Sequence, residues 1–174
     1  MRLLHITAAA LALSLGVCAS AQAQPGYMTR PAAMTRSTTP YLAEGLVRVQ
    51  SRFGFDETIA RIRADVAAKG IREFAVVPQS ALAQGAQIDL RPSTLIIFGN
   101  PPLGTQFITA NPNAGLDWPV RVLVYQDADG RIWAVYHDFH YLERRHHIAN
   151  RQQAFNMADM VINSILDSVR APSA

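Results

Sequence analysis

Four histidines fall within eleven residues, His137, His140, His146 and His147, with Asp138 and Glu143 among them. Nowhere else in the chain do side chains with ligand or acid–base chemistry gather so closely. Neutral imidazole suits zinc, copper, nickel or iron, so His137, His140 and His146 are candidate ligands for a transition metal or for haem iron. Neighbouring His146 and His147 would point about 100° apart on a helix, so at most one of them joins the other two. Against this, histidines beside arginines, here Arg144 and Arg145, are most often solvated or hydrogen-bonded surface groups. The same residues allow a second arrangement, in which the Asp138 carboxylate meets Arg145 or His146. As a charge-assisted hydrogen bond it pins the start of a terminal helix to a sheet; as a dyad it makes His146 a general base oriented by Asp138. No motif sets a serine, threonine or cysteine beside the pair, so nothing points to a hydrolase triad and no catalytic residue is assigned.

A second candidate lies at Phe98–Thr105, FGNPPLGT, where a β-branched apolar run breaks into glycine, asparagine and paired prolines. The glycines are spaced as in a phosphate-cradling loop. No lysine precedes Thr105, however, and Pro101 and Pro102 remove two N–H donors, so no nucleotide is expected. Glycine and proline here serve first to shape a turn. The functional alternative is a rigid pocket lip whose Asn100 amide and Thr105 hydroxyl orient a small ligand, with Tyr136, Asp138 and His146 completing a polar rim. Trp118, Trp133, Phe98 and Tyr136 read first as core or hairpin-face aromatics.

The elements that carry these residues follow from periodicity. Leu46–Ser51 alternates as a strand, with Val47 and Val49 on one side and Arg48 and Gln50 on the other. Asp56 is placed to cap a helix with Ile59, Ile62 and Val66 on its apolar stripe, and Gly70 closes it. Arg72–Val77 is a second strand stopped by Pro78, Ser80–Gln87 a short helix and Leu95–Phe98 a third strand. A weakly helical or irregular stretch runs to Ala114. Val120–Tyr125 then alternates, Asp127–Gly130 turns, and Ile132–His137 returns as the clearest hairpin in the chain. A long terminal helix follows, with Phe155, Ala158, Ile162, Ile165 and Val169 on one stripe. The order strand, helix, four strands, helix predicts an α+β two-layer sandwich, a mostly antiparallel five-stranded sheet with its helices on one face. No βαβ run with a glycine fingerprint appears, which disfavours a dinucleotide-binding doubly wound sheet.

Composition narrows the setting. Met1-Arg2, an apolar run from Leu3 to Ala19, and Ala21-Gln22-Ala23 before Pro25 have the three parts of a secretory signal peptide. The run is short of the roughly 20 apolar residues that span a bilayer, so cleavage is expected, after Ala23 or after Ala21. Val17 before Cys18 argues against a lipid-anchored cysteine, since a small residue normally stands there. Cys18 is the chain's single cysteine and leaves with the leader, so disulfides and cysteine-ligated zinc are not expected in the mature protein. The net charge is +3, or +2 without Arg2, so the isoelectric point of 9.4 reflects non-titrating arginine and not a basic face. Nucleic acid is not an expected partner. At 49% apolar, the chain can bury a single core. The expected organisation is a signal peptide over 1–23, a flexible Pro/Thr/Ser-rich tether over 24–43 and one α+β domain over 44–170, with no membrane span after cleavage and a periplasmic or secreted location.

Four segments, FDETIARIRADVAAKG, LRPSTLIIFGNPPLGT, GLDWPVRVLVYQDADGRIWAVYHD and YLERRH, in this order and spacing resemble the prokaryotic domain-of-unknown-function family 302. The resemblance covers about Gly45 to Val169 and implies the strand–helix–four strands–helix fold, and with it a homodimer paired through an open sheet edge. It implies no reaction. Where family members commonly carry Asp-His after the second strand this chain has Pro78-Gln79, and their GTPLM is here Gly104-Thr105-Gln106-Phe107-Ile108. Their Tyr-Asn-Asp-Pro stands as Tyr136-His137-Asp138-Phe139, so no acid–base role passes to Pro78 or Gln79. The leading expectation is an exported module that binds a small molecule or a protein partner between sheet and C-terminal helix. Metal or haem handling by the His137/His140/His146 group is the alternative, and an enzyme using Asp138 and His146 the third.

Overall fold

The computed structural model describes residues 43–172. The segments expected to be a signal peptide and, Ala43 apart, a tether lie outside the described residues. Five strands, β1 (Leu46–Gln50), β2 (Arg72–Val77), β3 (Ser93–Gly99), β4 (Val120–Gln126) and β5 (Ile132–His137), form one sheet in the order β1-β5-β4-β3-β2. Every neighbouring pair is antiparallel. Five helices accompany them: α1 (Phe55–Ala68), α2 (Gln79–Gly85), α3 (Pro101–Ala110), α4 (Phe139–Arg145) and α5 (Gln152–Asp167), with a 3-10 turn over Pro112–Leu116. The expected α+β architecture is present.

Strand alternation decides which side of the sheet is covered. Ile96, Val122, Val124 and Ala134 are fully buried, whereas their neighbours Leu95, Leu123 and Val135 on the opposite face are only half-buried. The covered face meets α1 through Ile62 and Val66 and α5 through Phe155, Ile162, Ile165 and Leu166. Burying side chains of this size contributes about 1.5–3 kcal/mol each, which is why the two amphipathic stripes dictate the layer arrangement. Val169 belongs to the same core although it lies past the end of α5. The β4–β5 hairpin closes as its sequence requires: Gly130 takes φ +82°, and Asp127 Oδ1 accepts from the backbone N–H of Asp129 and Arg131 at 2.9 Å.

Three expectations are corrected. Asp56 does not cap α1. Gly54 stands at the N-cap with no side-chain bond, and Asp56 sits in the first turn. The helix entry is fixed by Thr58, whose hydroxyl donates to the Gly54 carbonyl at 2.8 Å and meets the Ser51 hydroxyl at 2.6 Å. The FGNPPLGT segment is not a loop but the end of β3 running into α3. Asn100 caps that helix, its Oδ1 accepting from Leu103 N at 3.3 Å, and Pro101 and Pro102 occupy first-turn positions where no intrahelical N–H is needed. The terminal helix is two helices. His146 ends α4, His147 takes the left-handed conformation at φ 51°, and α5 begins at Gln152.

Thr58 is fully buried and Ser51 7% exposed, so Thr58→Val removes one partner and leaves the Ser51 hydroxyl and the Gly54 carbonyl short of a hydrogen bond. A loss of about 1–3 kcal/mol is expected in urea unfolding with an unchanged m-value.

Candidate functional site

Only part of the residue set expected from sequence comes together. His146 is 7% exposed, and its Nε2 lies 2.6 Å from Asp117 Oδ2, a partner 29 residues away in sequence. Asp117 ends the 3-10 turn just before β4; its other oxygen accepts from Arg121 Nη2 at 3.2 Å, and Arg145 Nε stands 3.7 Å off. The backbone of His146 is held as well, its carbonyl accepting from Asn111 Nδ2 at 2.8 Å. A carboxylate this deeply buried is costly unless paired, and here an imidazole and a guanidinium supply the pairing.

Asp138 is elsewhere. Its carboxylate accepts from Tyr141 N at 2.5 Å and caps α4, so the expected Asp138–His146 pairing is replaced by Asp117–His146. The local signal for this cap was present, an Asp directly before a helical run. No local signal reaches from Asp117 to His146. Tyr136 is buried beneath α5, with its hydroxyl 3.4 Å from Asn163 Oδ1; burial first, then the nearby Asp159 charge, push its phenol up to about 12. Thr105 is exposed on α3 and lines neither the recess beside Asn100 nor the one beside His146. His137 ends β5, His140 Nδ1 lies 3.3 Å from Glu143 Oε2 within α4, and His146 is committed to Asp117. Among the described residues no group of three His, Cys, Asp or Glu side chains is placed to hold a metal ion.

Asn100 and His146 lie at two adjacent recesses separated by an aromatic partition. The first opens where β3 ends, between α3 and α5, with Asn100 at its edge and walls that include Ile71, Phe98, Leu103, Trp118 and Val161. It holds a cavity of about 40 Å³ that opens to solvent. The second, a cavity of about 20 Å³, is bordered by Asp117 and His146. Phe107, Trp118 and Phe139 line both. Phe107 stacks on Phe155 of α5 at 4.3 Å between centroids, and Trp118 meets Phe74 edge-on at 5.9 Å. Trp118 is the residue that sequence reasoning undervalued. Its indole lies directly against Gly104, where any Cβ would overlap the ring, so this mid-helix glycine is there for close approach and not for a loop. Trp133 donates its indole N–H to Asp127 at 2.8 Å; the indole nitrogen of Trp118 lies against Gly99 and Gly104, with no acceptor among the described residues.

Gly104→Ala drives the Trp118 indole out of its seat, which tryptophan fluorescence registers as a red shift, at a cost of about 1–3 kcal/mol in stability. His137 is held below its ordinary value of 6.5, chiefly by burial and further by Arg121 and Arg145, with Asp117 opposing. The unfolded chain therefore binds this proton more readily than the folded one. Stability is expected to fall as pH drops below 6.5, until the folded imidazole itself protonates, and His137→Gln flattens that limb in thermal melts taken across the range.

Residues 47–165 match the family model described as Domain of unknown function DUF302. Among curated relatives, Fluoride-specific ion channel FluC 1 of Brucella suis biovar 1 (strain 1330) is 40% identical over 102 residues, covering 59% of this chain and 40% of that protein. FluC 1 of Brucella abortus biovar 1 (strain 9-941) is 40% identical over 102 residues, covering 59% of this chain and 38% of that protein. This chain thus spans about two-fifths of the length of the curated relatives it matches. A crystal structure of an uncharacterized conserved DUF302 protein from Bacillus stearothermophilus superposes with a TM-score of 0.66 at 19% identity, covering 74% of this chain and all of that one, a likeness of fold. With the five-stranded order, the helical layer and a family model matched along most of its length, the chain belongs to the DUF302 family.

Proposed function

We propose that the protein is an exported binding module that receives a small, largely apolar ligand in the recess between the end of β3, α3 and α5. The observation that carries this reading is the recess itself, a cavity of about 40 Å³ walled by aromatic and aliphatic side chains, with Asn100 at its edge. Its lining is that of small-molecule clefts, in which apolar walls supply affinity and a few polar groups supply orientation; its volume is well below theirs, so a ligand enters by displacing the side chains at the mouth. The Asp117–His146 pair is spent on structure, each group buried and engaged by neighbours, and so favours binding over acid–base catalysis at this position. The compartment rests on the signal peptide read from sequence. The test uses 1-anilinonaphthalene-8-sulfonate as probe. Saturable binding with quenching of tryptophan emission is expected for the wild type, and its loss in Val161→Trp, which fills the recess from α5, with the far-UV spectrum unchanged. Equal binding by that variant would refute the assignment.

The curated relatives favour a second reading. Their names assign them a fluoride-specific channel, yet this chain corresponds to only about two-fifths of their length. No described helix here is long and apolar enough to cross a membrane. On this reading the module accompanies a membrane anion channel, and deletion of its gene changes the fluoride tolerance of the host; unaltered tolerance counts against it.

A further inference from the structure

Where β4 begins and β5 stops, two guanidinium groups converge on a single carboxylate. Asp117 gives one oxygen to Arg121 and the other to His146. Arg145, 3.7 Å from the second oxygen, is too distant for a hydrogen bond there, and its guanidinium donates to nothing else among the described residues. Arg121 uses Nη2 for both the Leu116 carbonyl at 2.7 Å and Asp117, leaving Nε and Nη1 without acceptors among the described residues. Two positive charges thus face one negative charge, each of whose oxygens already has a hydrogen-bond partner. The side chains of Arg121 and Arg145 are 37% and 46% exposed, so their unused donors are open to solvent. His137, the last residue of β5, lies two residues beyond Val135, and Arg121 two residues before Leu123, which pairs with Val135, so the two share one face of neighbouring strands; the charges acting on His137 are those of Asp117, Arg121 and Arg145.

We propose that Arg121, Arg145 and His137 form a binding site for a small oxyanion, a sulfate-, phosphate- or carboxylate-type group, at this end of the sheet. The reasoning is one of charge and donor geometry. A planar guanidinium presents paired N–H donors matched to the oxygens of an oxyanion, and a guanidinium held near a buried carboxylate is pre-oriented, so little side-chain freedom is lost on binding. Two guanidinium charges against one carboxylate leave a positive potential at this end of the sheet, which favours an anion over a cation. His137 adds a ring N–H at the rim. This site is independent of the apolar recess, sharing no residue with its walls.

The test uses inorganic sulfate at pH 7.5, with chloride at equal ionic strength as the reference, followed by calorimetry and by the imidazole NMR signals of the full mature chain. Saturable sulfate binding that moves the His137 signals and leaves His140 unmoved is expected. Arg145→Gln is expected to weaken binding by about tenfold, as for loss of a charge-assisted pair. Arg144→Gln removes the same charge one residue away and is expected to leave binding unchanged. Equal displacement of the His137 signals by chloride, equal weakening by the two arginine variants, or no saturable binding would each overturn the site.

Discussion

The buried Asp117 carboxylate is the constraint on which the upper half of the molecule depends. It stands at the junction between the 3-10 turn and β4, and its partner His146 stands at the junction between α4 and α5. Breaking such a pair leaves an uncompensated charge in a poorly solvated place, a cost of about 3–5 kcal/mol. The side chain of His146 holds Asp117 while its carbonyl holds Asn111, so the corner after α3 and the corner before α5 are stitched together twice. Backbone hydrogen bonds such as Asp117 N to Ala114 O and Ile148 N to Glu143 O, each 3.0 Å, hold each corner within itself, and the side chains join one corner to the other.

From this clamp follows the arrangement around the recess. Trp118 is the residue after Asp117, so fixing the carboxylate fixes where the indole enters the helical layer. Gly104 then leaves α3 flat enough to receive it, and Phe107, one helical turn on, reaches Phe155 of α5. The aromatic partition therefore has a polar hinge on one side and an apolar opening on the other. The proposed ligand recess at the opening and the proposed anion site near the hinge lie in different dielectric settings, on elements tied to the same carboxylate.

Much of this fold could be read directly from the chain, and the reasons are local. Alternation at Val120–Tyr125 and Ile132–His137, the Asp-Gly turn between them and the three–four spacing from Phe155 to Ile165 are patterns within one element, where side-chain direction has a fixed period. What escaped was of two kinds. α3 was hidden because prolines and glycine suggest a loop, although prolines belong in a first helical turn and Gly104 answers to Trp118, a neighbour known only in three dimensions. The Asp117–His146 pair was hidden because 29 residues separate its members and nothing local in either neighbourhood announces the other. The sequence reading found the right histidine and gave it the wrong carboxylate, since Asp138 is nearer along the chain but already engaged with the first turn of α4.

The claim that Asp117 and His146 act as one clamp is tested most directly by a double-mutant cycle. Urea unfolding of Asp117→Asn, His146→Gln and the double variant yields the coupling free energy, expected to be about 2 kcal/mol or more for a buried charge-assisted contact. Additivity of the two single effects to within about 0.5 kcal/mol would show that the two side chains do not hold each other, and the account of the corner would fail with it.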